Sequence, residues 1–316
     1  MTSLVRNTDK KGGYTPLFTQ VSLFTVSICA FILSLRYPNE IKAGIIDGTK
    51  LALYGVIPAI FPFMILSDMI TASKAFDNGI ISYAISVVFG VPREASSSII
   101  LGNICGFPLG AKIITDRYRL GIISREDAER VIGIATNPSL AFVISGVGAG
   151  MLGSTKDGVL LYFSLILSTA ITGALYRRKH ISSRNIRLIN GQKFNLSEST
   201  KSAAINSLYV GAFIVFFSYI INMLKALLSS ELFVSLVSVI LEITSATQEL
   251  IDIFSNKLIL LPLIAFALGF SGFSVHMQVS ALINSEYSMR LYYTEKLTEG
   301  VIAAVICMII IRITNC

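Results

Sequence analysis

Gly79–Val91 (GIISYAISVVFGV) followed by Ala95–Ala111 (ASSSIILGNICGFPLGA) is the stretch that decides how this chain folds. Both segments are uncharged, and both are interrupted: the first by Gly90 before Pro92, the second by Gly102, Gly106, Pro108 and Gly110. The first segment has only 13 residues, and a helix needs roughly 20 apolar residues to cross the hydrocarbon core. Arg117, Arg119, Arg125 and Arg130 follow, and basic residues favour the cytoplasmic side. A pair of short segments that enters the membrane and returns to the same side satisfies both the lengths and the charges. Broken helices leave backbone groups unpaired at membrane depth, which is tolerated only where protein or a polar cavity satisfies them. Short segments interrupted by Gly or Pro mark the binding sites of transporters.

The rest of the sequence supplies the membrane. Uncharged runs of spanning length occur at Leu17–Leu35, Leu51–Ser67, Val131–Thr155, Gly158–Tyr176, Ser202–Leu224 and Leu258–Asn284. Charged residues make up 14% of the chain, against about 25% in ordinary soluble domains. The long polar stretches that a soluble protein with buried helices would need are missing. The net charge of +7 is no nucleic-acid footprint, because Lys and Arg cluster in loops, above all Arg177, Arg178, Lys179, Arg184, Arg187 and Lys193. That loop and the N-terminus are expected inside. Leu17–Leu35 reads as a retained helix, since Arg36, Tyr37 and Pro38 follow it where a signal peptide would have small residues.

Chemistry of the enzymatic kind is not indicated. Cys29, Cys105, Cys307 and Cys316 have no paired spacing, and His180 and His276 are too few for a metal cluster. There is no nucleophile with a base and no HExxH, so no catalytic residue, cofactor or metal is expected. The expected fold class is an all-α membrane protein, a polytopic helix bundle of two inverted repeats, each with a re-entrant or broken-helix hairpin.

The repeat rests on two matches. Asp47–Gly48–Thr49–Lys50 returns as Glu198–Ser199–Thr200–Lys201, 151 residues later, and Gly106–Lys112 returns as Gly272–Gln278, 166 residues later. The difference of 15 residues places an insertion around Leu224–Leu241. The first helix exits, the Arg36–Lys50 stretch lies outside, and Leu51–Ser67 returns, so Lys50 is outside while Lys201 is inside. Units entering from opposite faces form an inverted repeat, which lets a midplane site open to either side. The expected parts are residues 1–36 (tail and first helix), 37–176 (first repeat), 177–200 (basic cytoplasmic loop) and 201–316 (second, inverted repeat). Ser124 with Asp127 is expected to cap a helix, and Asn137–Pro138–Ser139 to break the run that follows.

Asn103, Gly106, Pro108 and Lys112 mark the first hairpin; Ser274, His276 and Gln278 mark the second. The N-terminal ends of half-helices present free N–H groups and positive dipole, which suit a carboxylate. Lys112 is expected to snorkel to the inner interface. His276 either titrates and gates transport or satisfies a neighbouring helix. Glu242 lies between the apolar Leu232–Leu241 and a polar stretch. An acid at depth faces a cavity or a partner, so it either binds solute, proton or Na⁺, or caps a helix. Asn137, Ser139 and Thr244, one polar group per half, line a site or hydrogen-bond across helices. Gly146, Gly148 and Gly150 read as close helix packing.

The run Gly106–Phe107–Pro108–Leu109–Gly110–Ala111–Lys112, then Gly121–Ile122–Ile123–Ser124, Ala128–Glu129–Arg130 and Asn137, resembles the YlbJ-type sporulation integral membrane proteins. So do Leu241–Glu242–Ile243–Thr244 and Gly272–Gln278, and the similarity runs from about Ile41 to the C-terminus. The first motif reads Gly-Phe-Pro-Leu where that family carries a Tyr and a Met, a departure that bears on the solute more than on the fold. The family is similar to proteins with the nucleoside-recognition Gate domain, related to concentrative nucleoside transporters. The resemblance implies transport of dipicolinic acid, a pyridine with two carboxylates, across the outer forespore membrane of a sporulating bacterium. The alternatives are a nucleoside-type permease or a structural component of a sporulation membrane complex. The expected partners are a small-molecule solute, the lipid bilayer, and either further copies of the chain or sporulation membrane proteins, with no nucleic acid.

Overall fold

A computed structural model describes residues 17–72, 79–177 and 194–314, and these form helices and connecting turns without a strand. The N-terminal tail and most of the basic loop, from Arg178 to Lys193, lie outside the described residues. The chain begins with α1 (Leu17–Arg36) and α2 (Pro38–Lys50), which continues through a π-helical turn, Leu51–Val56, into α3 (Ile57–Ala72). Next come α4 (Ile80–Phe89), α5 (Ser96–Cys105), α6 (Leu109–Arg119) and α7 (Arg125–Ile134). A π-helical segment, Phe142–Met151, leads to α8 (Thr155–Leu175). Beyond the basic loop lie α9 (Leu196–Leu227), α10 (Glu231–Leu241), α11 (Ile243–Ile253), α12 (Lys257–Phe270), α13 (Gly272–Ile283) and α14 (Arg290–Thr314).

Four stretches are long and apolar enough to cross a membrane: Thr155–Leu175, Leu196–Leu227, Lys257–Ile283 and Arg290–Thr314. Two bent pairs would raise the number to six, 38–56 with 60–72 and 80–89 with 93–105, the latter bent by 104°. Leu297, Val301, Val305 and Ile309 are exposed along α14, whereas Tyr292, Lys296, Glu299, Ala303 and Cys307 on its other side are buried. An apolar face outward with polar groups inward is the pattern of a helix whose solvent is lipid.

Helix starts follow local chemistry. Ser124 accepts from the Asp127 N–H at 3.1 Å, as its sequence pattern indicates, and Ser154 does the same for Asp157 at 3.2 Å. Asn195, Ser230 and Asn256 cap α9, α10 and α12. Each cap satisfies N–H groups that a helix start leaves without intrahelical partners.

Two ion pairs mark opposite ends of the bundle. Arg119, at the end of α6, binds Glu286, just before α14, at 2.9 Å. Lys257, at the start of α12, binds Asp157, at the start of α8, at 2.8 Å. Along the first of these ends the Arg117 guanidinium also meets the Glu94 carbonyl. Both arms of α5–α6 therefore open at the same end, and the pair is a hairpin with its tip at Gly106–Phe107–Pro108. The short segments expected from the sequence are present: α4 and α5 are bent by 104° across the break at Gly90–Pro92, and a further turn at 106–108 makes a hairpin of α5 and α6. The α10–α11 pair is a second hairpin, with Glu242 at its tip; Lys225 near the end of α9 holds Glu249 of α11 at 2.8 Å. It opens towards the end where α12 starts.

The Arg36–Lys50 stretch differs from its expectation as an external connection. It is largely helical as α2, and it runs along α9, with Gly44 against Asn222 and Gly48 against Ser218. Among the three glycines read as close packing, Gly148 meets Gly158 of α8, while Gly146 and Gly150 touch only atoms of their own segment.

The first hairpin is seated by two glycines. Gly102 of α5 and Gly110 of α6 face one another, and a Cβ on either would collide with the Ala135 carbonyl at the end of α7. A methyl group there has backbone to displace, so Gly110→Ala should destabilise by roughly 1–3 kcal/mol, as overpacked cores do. Thermal melting of the purified protein in detergent checks this against Gly55→Ala, where the nearest atom to a new Cβ is a leucine methyl at 3.5 Å. Equal melting temperatures for the two variants would contradict the seating.

Candidate functional site

The break between α7 and the π-helical segment brings Thr136 and Asn137 to the tip of the first hairpin. The Phe107 N–H donates to the Asn137 carbonyl at 2.8 Å. The Asn137 side chain donates to Asn103 Oδ1 at 2.8 Å and to Thr169 Oγ1 of α8 at 3.0 Å. Asn103 in turn donates to the carbonyls of Ile99, at 2.7 Å, and Ile134, at 3.0 Å. The Ile134 carbonyl is one of those that the end of α7 leaves without an intrahelical partner. Tyr162 closes the group by donating to the Asn103 carbonyl at 3.0 Å. Asn103 and Asn137, proposed separately from the sequence, thus form one buried amide pair.

Lys296 of α14 completes it. Its ammonium donates to the Thr136 carbonyl at 2.9 Å, to Asn137 Oδ1 at 2.7 Å and to Glu299 Oε2 at 2.8 Å. A lysine has three N–H donors, and all three are used. Thr169 donates to the other oxygen of Glu299 at 2.5 Å. Lys296 and Glu299 are each 0% exposed, and Glu295, one residue before the lysine, is 1% exposed. Glu299 lies nine residues into α14, so at 1.5 Å per residue it is about 13 Å from the helix start. That is close to halfway through a core of about 30 Å.

This trio, Glu295, Lys296 and Glu299, was not singled out from the sequence. Its charges remove α14 from the uncharged runs, so the search that found the membrane passed over its most polar helix. The signal was present in the spacing: Tyr292, Lys296, Glu299 and Ala303 recur at helical intervals on one face of an otherwise apolar segment.

The remaining sequence candidates fall around this centre. Gly106 has φ +87° at the hairpin tip, and a Cβ there would meet the Ser139 backbone. Pro108 follows through a cis peptide bond and stands at the start of α6. Ser139 accepts from the Phe142 N–H at 3.0 Å, which starts the π-helical segment. Ser274, His276 and Gln278 do not form the second hairpin expected of them: they lie on α13, the second part of the span Lys257–Ile283, where a run of apolar residues carries the helix on past the break at Ser271. His276 is fully buried and hydrogen-bonded to the Tyr292 hydroxyl at 2.9 Å, one turn before Lys296 on α14. Gln278 donates to Ser274 at 3.4 Å, and both are buried. The side chains of the first hairpin group and His276 therefore meet on the same helix, α14.

Glu242 makes the contacts of a cap. Its two carboxylate oxygens accept from the Thr244 N–H at 3.1 Å and the Ser245 N–H at 2.7 Å. The N–H groups at the start of α11 are held by a carboxylate of the chain itself. The backbone of Leu241 and Glu242 lies against Gly272, φ +66°, where α12 gives way to α13. In each half a hairpin tip thus abuts the break of a crossing helix.

Lys112 does not snorkel. Its side chain is 8% exposed and pairs with Asp68 of α3 at 2.6 Å and Asp116 at 3.2 Å. Asp68 also accepts from Ser199 of α9 at 2.7 Å. A neighbouring carboxylate on α3 gives the ammonium a closer partner than the interface. A cleft of about 130 Å³, lined by Lys112, Asp116, Arg119, Ser202, Asn206 and Leu282 among others, opens beside it.

No protein-family model matches the chain, and no solved structure matches it. Among curated proteins, the chain is similar to the sporulation integral membrane protein YlbJ of Bacillus subtilis (strain 168). The two are 24% identical over 300 residues, covering 81% of this chain and 74% of that protein. The similarity supports a YlbJ-type assignment, the one to which the sequence motifs point.

Removing one partner of a buried pair strands the other charge, at a cost of about 3–5 kcal/mol, whereas replacing both with apolar groups is often neutral. Lys296→Met should therefore lower the melting temperature and membrane yield sharply, and Lys296→Met with Glu299→Met should recover most of the loss. A double variant no better than the single one would show that the pair is not a closed unit.

Proposed function

We propose that this protein is a membrane transporter of a small anionic solute, and that its cargo is dipicolinic acid moved across the outer forespore membrane during sporulation. The observation that carries the reading is the Lys296 ammonium, fully buried against the broken end of α7 and the first hairpin. Ionisable groups at membrane depth are costly and mark solute or ion pathways. The similarity to a sporulation membrane protein supplies the biological setting.

In this reading a solute carboxylate takes the place of Glu299 beside Lys296, and Asn137 and Thr169 turn to the new oxygen atoms. The start of α11 is a second position suited to an anion, where Glu242 is the resident carboxylate. A dicarboxylate has one group for each kind of position. The cleft beside Lys112 and Arg119 is the mouth at the arginine-rich end, which the positive-inside tendency makes cytoplasmic.

The two halves are read as inverted copies, in a register other than the one that pairs Gly106 with Gly272. Gly106 is at a hairpin tip, whereas Gly272 is in the bend of a crossing helix. Pairing α5–α6 with α10–α11 and α8 with α14 relates Ser96 to Glu231 and Thr155 to Arg290, both 135 residues apart. One hairpin then opens at the Arg119–Glu286 end and the other at the Asp157–Lys257 end, as alternating access by inverted repeats requires.

The test is uptake of labelled dipicolinate into proteoliposomes containing the full chain. Uptake should be competed by unlabelled dipicolinate and not by nucleosides. Asn137→Ala, which removes a bond to a charged group worth roughly 1.5–3 kcal/mol, should reduce uptake about tenfold or more. Competition by nucleosides at low concentration would contradict the choice of solute.

A further inference from the structure

Glu295 is the group in this bundle that the account so far leaves unused. It lies on α14 beside Lys296 and is 1% exposed, and its Oε2 is buried without a hydrogen-bond partner. The same oxygen lies against Gly133 of α7, where a Cβ would collide with it. The side chain is thus aimed into a closed position that the sequence keeps open with a glycine.

The charges around it do not balance. On its own helix it faces Lys296 and Glu299, and from α7 it faces Arg130. Lys296 spends its three donors on Thr136, Asn137 and Glu299. Arg130 is engaged by the Gly90 carbonyl at 3.0 Å and by Asp127 at 3.7 Å. On α8, Thr169 donates to Glu299, and Asp157 is tied to Lys257 of α12 at the far end. Past Lys257, α12 carries no ionisable residue. On α13 the imidazole of His276 is bonded to Tyr292. The two carboxylates are thus left with the committed Lys296 ammonium and with the Arg130 guanidinium, which is itself held by Asp127 and the Gly90 carbonyl, and an unpaired buried charge costs several kcal/mol.

We propose that Glu295 is a proton-binding site in the bundle interior, exchanging one proton with water while Glu299 remains the counter-ion of Lys296. Among the described residues no group of three or more His, Cys, Asp and Glu side chains could hold a metal, and Oε2 lies against Gly133 of α7. Protonation removes the charge, and burying a neutral carboxyl group costs far less than burying an unpaired carboxylate. In the transport reading, on which this last step alone rests, that proton is the coupling ion for an anionic cargo.

The site is tested without any solute. Infrared spectra of the purified full chain in lipid nanodiscs should contain a carboxylic C=O band typical of a weakly hydrogen-bonded acid. It should change with buffer pH and vanish in Glu295→Gln but persist in Glu299→Gln. Melting temperatures give an independent reading: Glu295→Gln, a neutral isostere of the protonated acid, should melt like the parent, and Glu299→Gln well below it. Absence of the band from the parent, its persistence in Glu295→Gln, or equal destabilisation by the two variants would overturn the proposal. So would a melting temperature raised by Na⁺ over choline at constant ionic strength and lost in Glu295→Gln, since the ligand would then be a metal cation. A proton site found here alongside failed dipicolinate uptake would leave the site standing and remove only the cargo.

Discussion

A single ammonium ties the middle of this bundle together. Lys296 cannot leave water unless every one of its N–H groups is satisfied, and the three acceptors it finds come from two places. Thr136 and Asn137 belong to a broken helix of the first half, while Glu299 belongs to its own. The break in α7 is what exposes the Thr136 carbonyl, since an unbroken helix would have used it. The helix interruption, the amide pair Asn103–Asn137 and the charged face of α14 are thus mutually dependent. Each would be an uncompensated polar cost in the membrane without the others.

Two carboxylates occupy positions that would otherwise attract an anion: Glu299 beside Lys296 and Glu242 at the start of α11. On the proposed transport reading, internal counter-ions of this kind keep the site stable between cargoes while leaving the anion-holding groups in place. The second half answers the first in form, because a hairpin tip meets the bend of a crossing helix at Gly272 as another meets the break at Asn137. It differs in chemistry, offering helix ends and His276 where the first half offers amides.

Much of this was legible from the residues. Glycine and proline spacing located the breaks at Gly106–Pro108 and Asn137–Pro138–Ser139, because interruptions in apolar runs have few other causes. The Ser124 cap was legible for the same local reason. Two features were not. Lys112 was sent to the interface because Asp68, its partner, lies 44 residues away. The charged face of α14 was missed because runs were sought without charges, while a helix that packs inside a bundle can hide several.

The central claim is that Lys296 is the anion-holding group of the interior and Glu299 its stand-in for solute. Equilibrium binding of labelled dipicolinate to the full chain in nanodiscs, compared among the parent, Lys296→Gln and Glu299→Gln, tests it most directly. The account predicts that Lys296→Gln abolishes binding and that Glu299→Gln, freed of its internal competitor, binds at least as tightly as the parent. Unchanged binding in Lys296→Gln, or loss of binding only in Glu299→Gln, would contradict it.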